Sequence, residues 1–176
     1  MAGIDETRAF LSVNIAVLTV SDSRTEANDD SGKTLIERLE GAGHKLAARR
    51  VIKDETSLIQ EQVRAWAADP TIDVVITNGG TGVTGRDVTP EALKPLFEKE
   101  IEGFGELFRM ISYQKVGTST MQSRAVGGLV QGTYIFALPG SPSACRDGWD
   151  EILKFQLDSR HGPCNLVELM PRLMEK

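Results

Sequence analysis

The sequence predicts an α/β fold: a mostly parallel sheet with helices on both of its faces. Short runs dense in valine and isoleucine recur along the chain, and they lack the in-out alternation of strands with one wet face. Stretches with apolar residues at helical spacing separate these runs, so strands and helices take turns. The unusual loops, "SDSR", "KDE", "NGGTGVTGRD" and "PGSPS", each follow a predicted strand. In open sheets of this class ligands bind beyond the carboxyl ends of the strands, so these four loops are predicted to converge on one edge.

Residues 1–11, "MAGIDETRAFL", read as a poorly ordered arm, and 12–176 as a single domain. "VNIAVLTV" (13–20) is the first buried strand. In "DDSGKTLIERLEGAG", Leu35, Ile36 and Leu39 mark a helix, with Asp30 or Ser31 as its cap and Gly41 or Gly43 at its end. "KLAARRVIKD" (45–54) is the second strand, and Leu58, Ile59, Val63 and Trp66 mark a helix that stops before Pro70. "IDVVITN" (72–78) is the third strand. A helix starts at Thr89-Pro90, with threonine as cap and proline at the first helical position. More helix is expected through "FGELFRMISYQ" (104–114), then a strand in "TYIFALPG" (133–140). "SPSACRDGWDEILKFQLD" forms the last helix, again opened by Ser-Pro. No internal repeat, low-complexity tract or linker interrupts the chain.

Bulk composition narrows the function. At 176 residues, 40% hydrophobic and 26% charged, the chain can bury a core without disulfides. A net charge of −5 argues against nucleic acid or an anionic membrane as partner. Cys145 and Cys164 make no disulfide framework, and no stretch approaches the length of a membrane span. The expected setting is the reducing cytoplasm.

One string is a decoy. "ANDDSGKT" ends like a phosphate loop, but Ala27 stands where the first glycine belongs, and Asp29 and Asp30 would oppose phosphate. The two histidines are too few for a histidine-rich metal site. The segment from Gly79 to Gly85 differs, with four glycines where a strand feeds a helix. Its "GGTG" can present several backbone N–H groups to an anion. Arg86 and Asp87 beside it place a cation for phosphate and a carboxylate for Mg²⁺. Alanine at Gly80 or Gly82 is therefore expected to harm ligand binding far more than folding.

"TVSDSR", "TNGGTGVTGRDVTPEA", "FGELFR" and "LPGSPSA", in this order, resemble the molybdenum cofactor biosynthesis proteins of the MoaB/MogA type, related to gephyrin and its plant counterpart. The resemblance covers roughly residues 12–158, and the C-terminal "QLDSRHGPCNLVELMP" looks most like the bacterial MoaB branch. It implies a three-layer α/β/α sandwich and a homo-oligomer, trimer or hexamer. It also implies binding of molybdopterin, adenylylation of its terminal phosphate with Mg-ATP, release of pyrophosphate and hand-over to the molybdate-insertion step. The family's two implicated carboxylates map onto Asp87 and onto Asp54, although Lys53 precedes Asp54 where MogA-type members usually carry proline. Both would serve as catalytic residues and Mg²⁺ ligands. Ser21, Asp22, Gly79, Gly80, Thr81, Gly82, Arg86, Pro139, Gly140, Ser141 and Ser143 map onto the pterin- and nucleotide-binding loops. Two other functions fit the same residues. One is a carrier that holds molybdopterin without chemistry, and the other is a nucleotide hydrolase like the CinA proteins, which share this domain.

Overall fold

A six-stranded sheet forms the middle layer of the computed structural model, which describes residues 3–175. The strands are β2 (Asn14–Val20), β3 (Lys45–Ile52), β4 (Val74–Asn78), β5 (Lys99–Glu100), β6 (Val126–Val130) and β7 (Thr133–Leu138), in the order β3-β2-β4-β7-β6-β5. β3, β2, β4 and β7 run parallel, whereas β6 and β5 are antiparallel to their neighbours. A separate two-residue pairing joins β1 (Gly3–Ile4) to β8 (His161–Gly162). Residues 3–11, expected as a loose arm, are thus hydrogen-bonded to the C-terminal segment, where Leu11 N–H also donates to Ser159 Oγ at 2.8 Å.

Strand pleat divides the apolar residues between two cores. Ile15, Val17, Ile76, Phe136 and Leu138 face one side, against α1 (Asp30–Gly41), α4 (Glu102–Val116) and α5 (Pro142–Gly148). Ala16, Leu18, Val75 and Ile135 face the other, against α2 (Thr56–Ala67) and α3 (Thr89–Leu93). Because both faces are covered, the central strands read as continuous apolar runs. The result is the three-layer sandwich.

Local differences from the sequence reading have physical causes. α1 is capped by Asp29, one residue earlier than expected, because its carboxylate reaches Gly32 N–H at 2.9 Å. Thr89 lies inside α3 instead of capping it, and its hydroxyl donates to the Gly79 carbonyl at 2.9 Å. The last helix is interrupted by a π turn at Trp149–Leu153 before α6 (Lys154–Gln156) resumes. The sequence pattern marks no strand at β6, whose "VGGLV" carries two glycines. Phe97 and Phe136 lie over them so closely that a Cβ at Gly128 or Gly127 would enter a ring.

Candidate functional site

The chain passes from β2 outward to β3, then returns to the other side of β2 to form β4. Strand order reverses between β2 and β4, and loops leaving their carboxyl ends diverge there to open a crevice. The cleft at this point has a volume of about 490 Å³. Ser21, Asp54, Gly79, Gly80, Thr81, Gly82, Asp87, Pro139 and Gly140 line it, so residues from all four predicted loops meet. Asp22, Arg86, Ser141 and Ser143 are not among its walls. A larger hollow of about 780 Å³ lies between α3, α4 and β6, and it contains none of the predicted site residues.

The glycine loop is shaped by its own protein before any ligand arrives. Gly79 and Gly80 have φ of +95° and +64°, which side chains on L-residues rarely adopt. A Cβ on Gly79 would strike the Val20 carbonyl, and one on Gly80 would strike Thr89 Oγ1 and come within 2.8 Å of Asp54 Oδ1. At Gly82 it would lie 2.7 Å from Asp87 Oδ2. The expectation that alanine here spares folding therefore needs correcting, most clearly at Gly80. The same tight path leaves donors open: no protein acceptor among the described residues takes the N–H of Gly80, Thr81 or Gly140.

Charge in the cleft follows from which groups already have partners. Arg86, expected to meet phosphate, forms a two-pronged pair with Asp22 at 2.8 and 2.9 Å. That pair holds the Asp22 carboxyl below its ordinary range. Arg124 grips the glycine loop through the carbonyls of Gly82 at 2.7 Å and Asp87 at 2.9 Å, and it pairs with Glu91. Burial works against ionisation of Asp87. Hydrogen bonds from the Thr84 hydroxyl at 2.6 Å and Thr84 N–H at 2.8 Å, aided by Gly82 N–H, outweigh burial and hold its carboxyl below the usual range.

Asp54 is the opposite case. It is 9% exposed, and no donor among the described residues reaches its carboxylate. Burial, then the neighbouring Asp22 carboxylate and, more weakly, Asp87, push its carboxyl above the ordinary value. A buried carboxylate without a donor is satisfied by taking up a proton or a cation.

Sequence reasoning missed part of the wall. Arg24, Ser119, Gln122 and Ser123 also face the cleft. Arg24 was visible as the last residue of "SDSR", and the other three belong to the hydroxyl-rich "GTSTMQS" after α4. Nothing in the local pattern separates that string from an ordinary connection.

Residues 16–159 match the family model described as a probable molybdopterin binding domain. The molybdenum cofactor biosynthesis protein B of Escherichia coli (strain K12) is 49% identical over 156 residues, covering 89% of this chain and 92% of that protein. Its namesake from Bacillus subtilis (strain 168) is 46% identical over 142 residues, covering 80% and 84%. A crystal structure of a molybdenum cofactor biosynthesis protein B superposes with a TM-score of 0.86 at 42% identity, over 96% of this chain and 100% of that one. The tungsten cofactor synthesizing protein MoaB from Pyrococcus furiosus superposes with a TM-score of 0.72 at 37% identity, over 81% and 91%. On both the matched model and this extent of identity, the chain belongs to the MoaB/MogA family of molybdenum cofactor biosynthesis proteins.

Proposed function

We propose that the cleft binds molybdopterin and ATP and transfers the adenylyl group of ATP to the terminal phosphate of the pterin. A phosphate oxygen of molybdopterin attacks the α-phosphorus of ATP. The bond to the β-phosphate breaks, and pyrophosphate leaves with the bonding electrons. Such a transfer needs little from the protein beyond bringing two phosphates together and offsetting their charge. The open N–H groups of Gly80, Thr81 and Gly140 supply fixed donors for phosphate oxygens.

The observation that carries this reading is the donor-free Asp54 carboxylate beside the glycine loop. Mg²⁺ is commonly held by one or two carboxylates together with substrate phosphates, and not by an all-protein cage. Among the described residues no cluster of three metal-ligating side chains exists, which fits that mode. Asp54 would be the principal ligand and Asp87 the second. Mg²⁺ bound there would screen the repulsion between the two phosphate groups. Asp22, Ser21 and the "PGSPS" loop with Pro139, Ser141 and Ser143 would complete the substrate surroundings.

One observation favours a carrier instead. Asp87 already accepts from Thr84 and Gly82, so its carboxylate is engaged in its own turn. Incubation with molybdopterin and Mg-ATP, followed by chromatography for adenylylated pterin and pyrophosphate, decides between them. Pterin retained without pyrophosphate release refutes the transferase. Hydrolysis of a nucleotide without pterin would identify a hydrolase. We also infer a homo-oligomer, trimer or hexamer, supported by the exposed apolar stripe Leu107, Met110, Tyr113 and Val116 on α4. Sedimentation at micromolar concentration that finds only monomer refutes it. Hand-over of the product to a molybdate-insertion protein in the cytoplasm completes the reading.

A further inference from the structure

We infer that Arg24, not Arg86, is the cation that binds the phosphate monoester of the substrate, and that a buried hydrogen-bond chain holds it in place. The inference rests on the pterin-phosphate reading above and assigns the group that recognises the phosphate.

Three arginines stand near the glycine loop, and two have carboxylate partners: Arg86 with Asp22 and Arg124 with Glu91. Arg24 lines the cleft and has no carboxylate partner among the described residues. A guanidinium without a counter-ion in a polar cleft, beside open backbone N–H groups, is suited to a doubly charged oxyanion.

Its position is fixed at both ends. Ser21 Oγ accepts the backbone N–H of Arg24 at 3.3 Å. One terminal nitrogen donates to Ser31 Oγ at 2.5 Å and the other to the Gly140 carbonyl at 2.7 Å. Three of the five guanidinium N–H groups remain for a ligand.

Below Arg24 the donors all point the same way. Ser31 donates to Asn78 Oδ1 at 2.7 Å, Asn78 Nδ2 donates to Thr19 Oγ1 at 2.9 Å, and Thr19 donates to Asp29 Oδ2 at 2.8 Å. The other Asp29 oxygen is a second, longer acceptor for the Ser31 hydroxyl at 3.2 Å, so the chain closes back on its first member. Ser31, Asn78, Thr19 and Asp29 are all 0% exposed. Burial opposes the Asp29 charge, but Gly32 N–H, Thr19 and Arg49 outweigh it and keep the carboxyl below its usual range. A charged, fully buried acceptor at the end of an aligned chain polarises each bond in it and fixes the Ser31 oxygen as an acceptor for Arg24. Ser31 is thus a positioning residue, and Arg24 is the one that touches phosphate.

The test is titration of the full chain with molybdopterin, with dephosphorylated molybdopterin and with inorganic pyrophosphate. The proteins compared are wild type, Arg24→Gln, Arg24→Lys and Ser31→Ala. Arg24→Gln is expected to weaken molybdopterin binding by about 10- to 100-fold and to leave the dephosphorylated pterin nearly unaffected. Arg24→Lys should recover part of the loss, because charge returns without the planar fork. Ser31→Ala should weaken the phosphate-bearing ligand selectively but less. A structural role alone would weaken both pterins alike, and that result overturns the inference. So does equal molybdopterin binding by wild type and Arg24→Gln, which leaves the pterin reading intact. Wild type that ignores both pterins but binds pyrophosphate through Arg24 upholds the anion site and refutes the pterin reading. Protein that binds none of the three probes overturns both.

Discussion

Two glycines five residues apart in one loop should differ sharply in their response to alanine. At Gly80, φ is +64°, and an added Cβ would collide with Thr89 Oγ1. Holding alanine in the left-handed region costs roughly 1–2 kcal/mol. To clear the Cβ, Thr89 must turn its hydroxyl away from the Gly79 carbonyl, which leaves buried polar groups unpaired. That adds roughly 1–3 kcal/mol, less about 0.4–1 kcal/mol gained by stiffening the unfolded chain. The net loss is about 1–4.6 kcal/mol, and for a chain of this size it lowers the thermal midpoint by roughly 2–18 °C, near 8 °C at the middle of the range. At Gly85 nothing lies within 4 Å of the added carbon and φ is not left-handed. Gly85→Ala should therefore shift the midpoint by no more than about 2–4 °C in either direction. Differential scanning calorimetry of both variants without ligand is the assay. Equal midpoints for Gly80→Ala and wild type would refute the claim that the loop's shape is set by its own packing.

Three further outcomes follow from the site. Because the folded pKa of Asp54 lies above its ordinary value, the folded state holds that proton more tightly than the unfolded one, so stability falls as pH rises from the usual aspartate range through the raised value. Asp54→Asn should raise the thermal midpoint at pH 7–8 and lose that advantage towards about pH 4, while millimolar Mg²⁺ stabilises wild type alone; a Mg²⁺ shift that survives in the variant would exclude Asp54 as the ligand. Asp87→Asn keeps an acceptor for Thr84, so it should lower stability by only about 1 kcal/mol but cut adenylylation per folded molecule by at least ~10–100-fold. Full turnover with lowered stability would confine Asp87 to its turn. Burial pushes the Cys145 thiol up to about 12, and Cys164 is exposed. A thiol reagent on native protein should therefore modify one cysteine per chain, identified by peptide mapping as Cys164, and rapid labelling of Cys145 would contradict the packing around α5.

Legibility tracked burial on two faces. β2, β4 and β7 were plain in the sequence because helices on both sides demand apolar residues at most positions. β6 was not, since its glycines stand where Phe97 and Phe136 need room, and the space a ring takes cannot be read from the strand that yields it. β1, β5 and β8 have two residues each, too few for any period to register. The four loops were recognisable from composition, and their convergence followed from alternating strands and helices. Their internal pairing was not recognisable. Arg86 adjoins Asp87 in sequence yet pairs with Asp22, 64 positions away.

That pairing changes what the glycines mean. From sequence alone, a glycine-rich loop flanked by arginine and aspartate reads as a cradle with its cation and metal ligand built in. In the folded chain the flanking charges hold the loop instead: Asp87 ties Thr84 and Gly82, Arg86 ties the loop to Asp22, and Arg124 fastens it through two carbonyls. The unmatched charges come from other strands, Arg24 after β2 and Asp54 after β3. An unpaired cation and an unpaired carboxylate lining one cleft would cancel if they touched, yet no ion pair joins them. On the proposed reading each is left for a ligand, the guanidinium for phosphate and the carboxylate for a cation. A phosphate with its metal ion satisfies both at once, whereas a neutral pterin would satisfy neither. On that reading, recognition of the substrate is centred on its phosphate end.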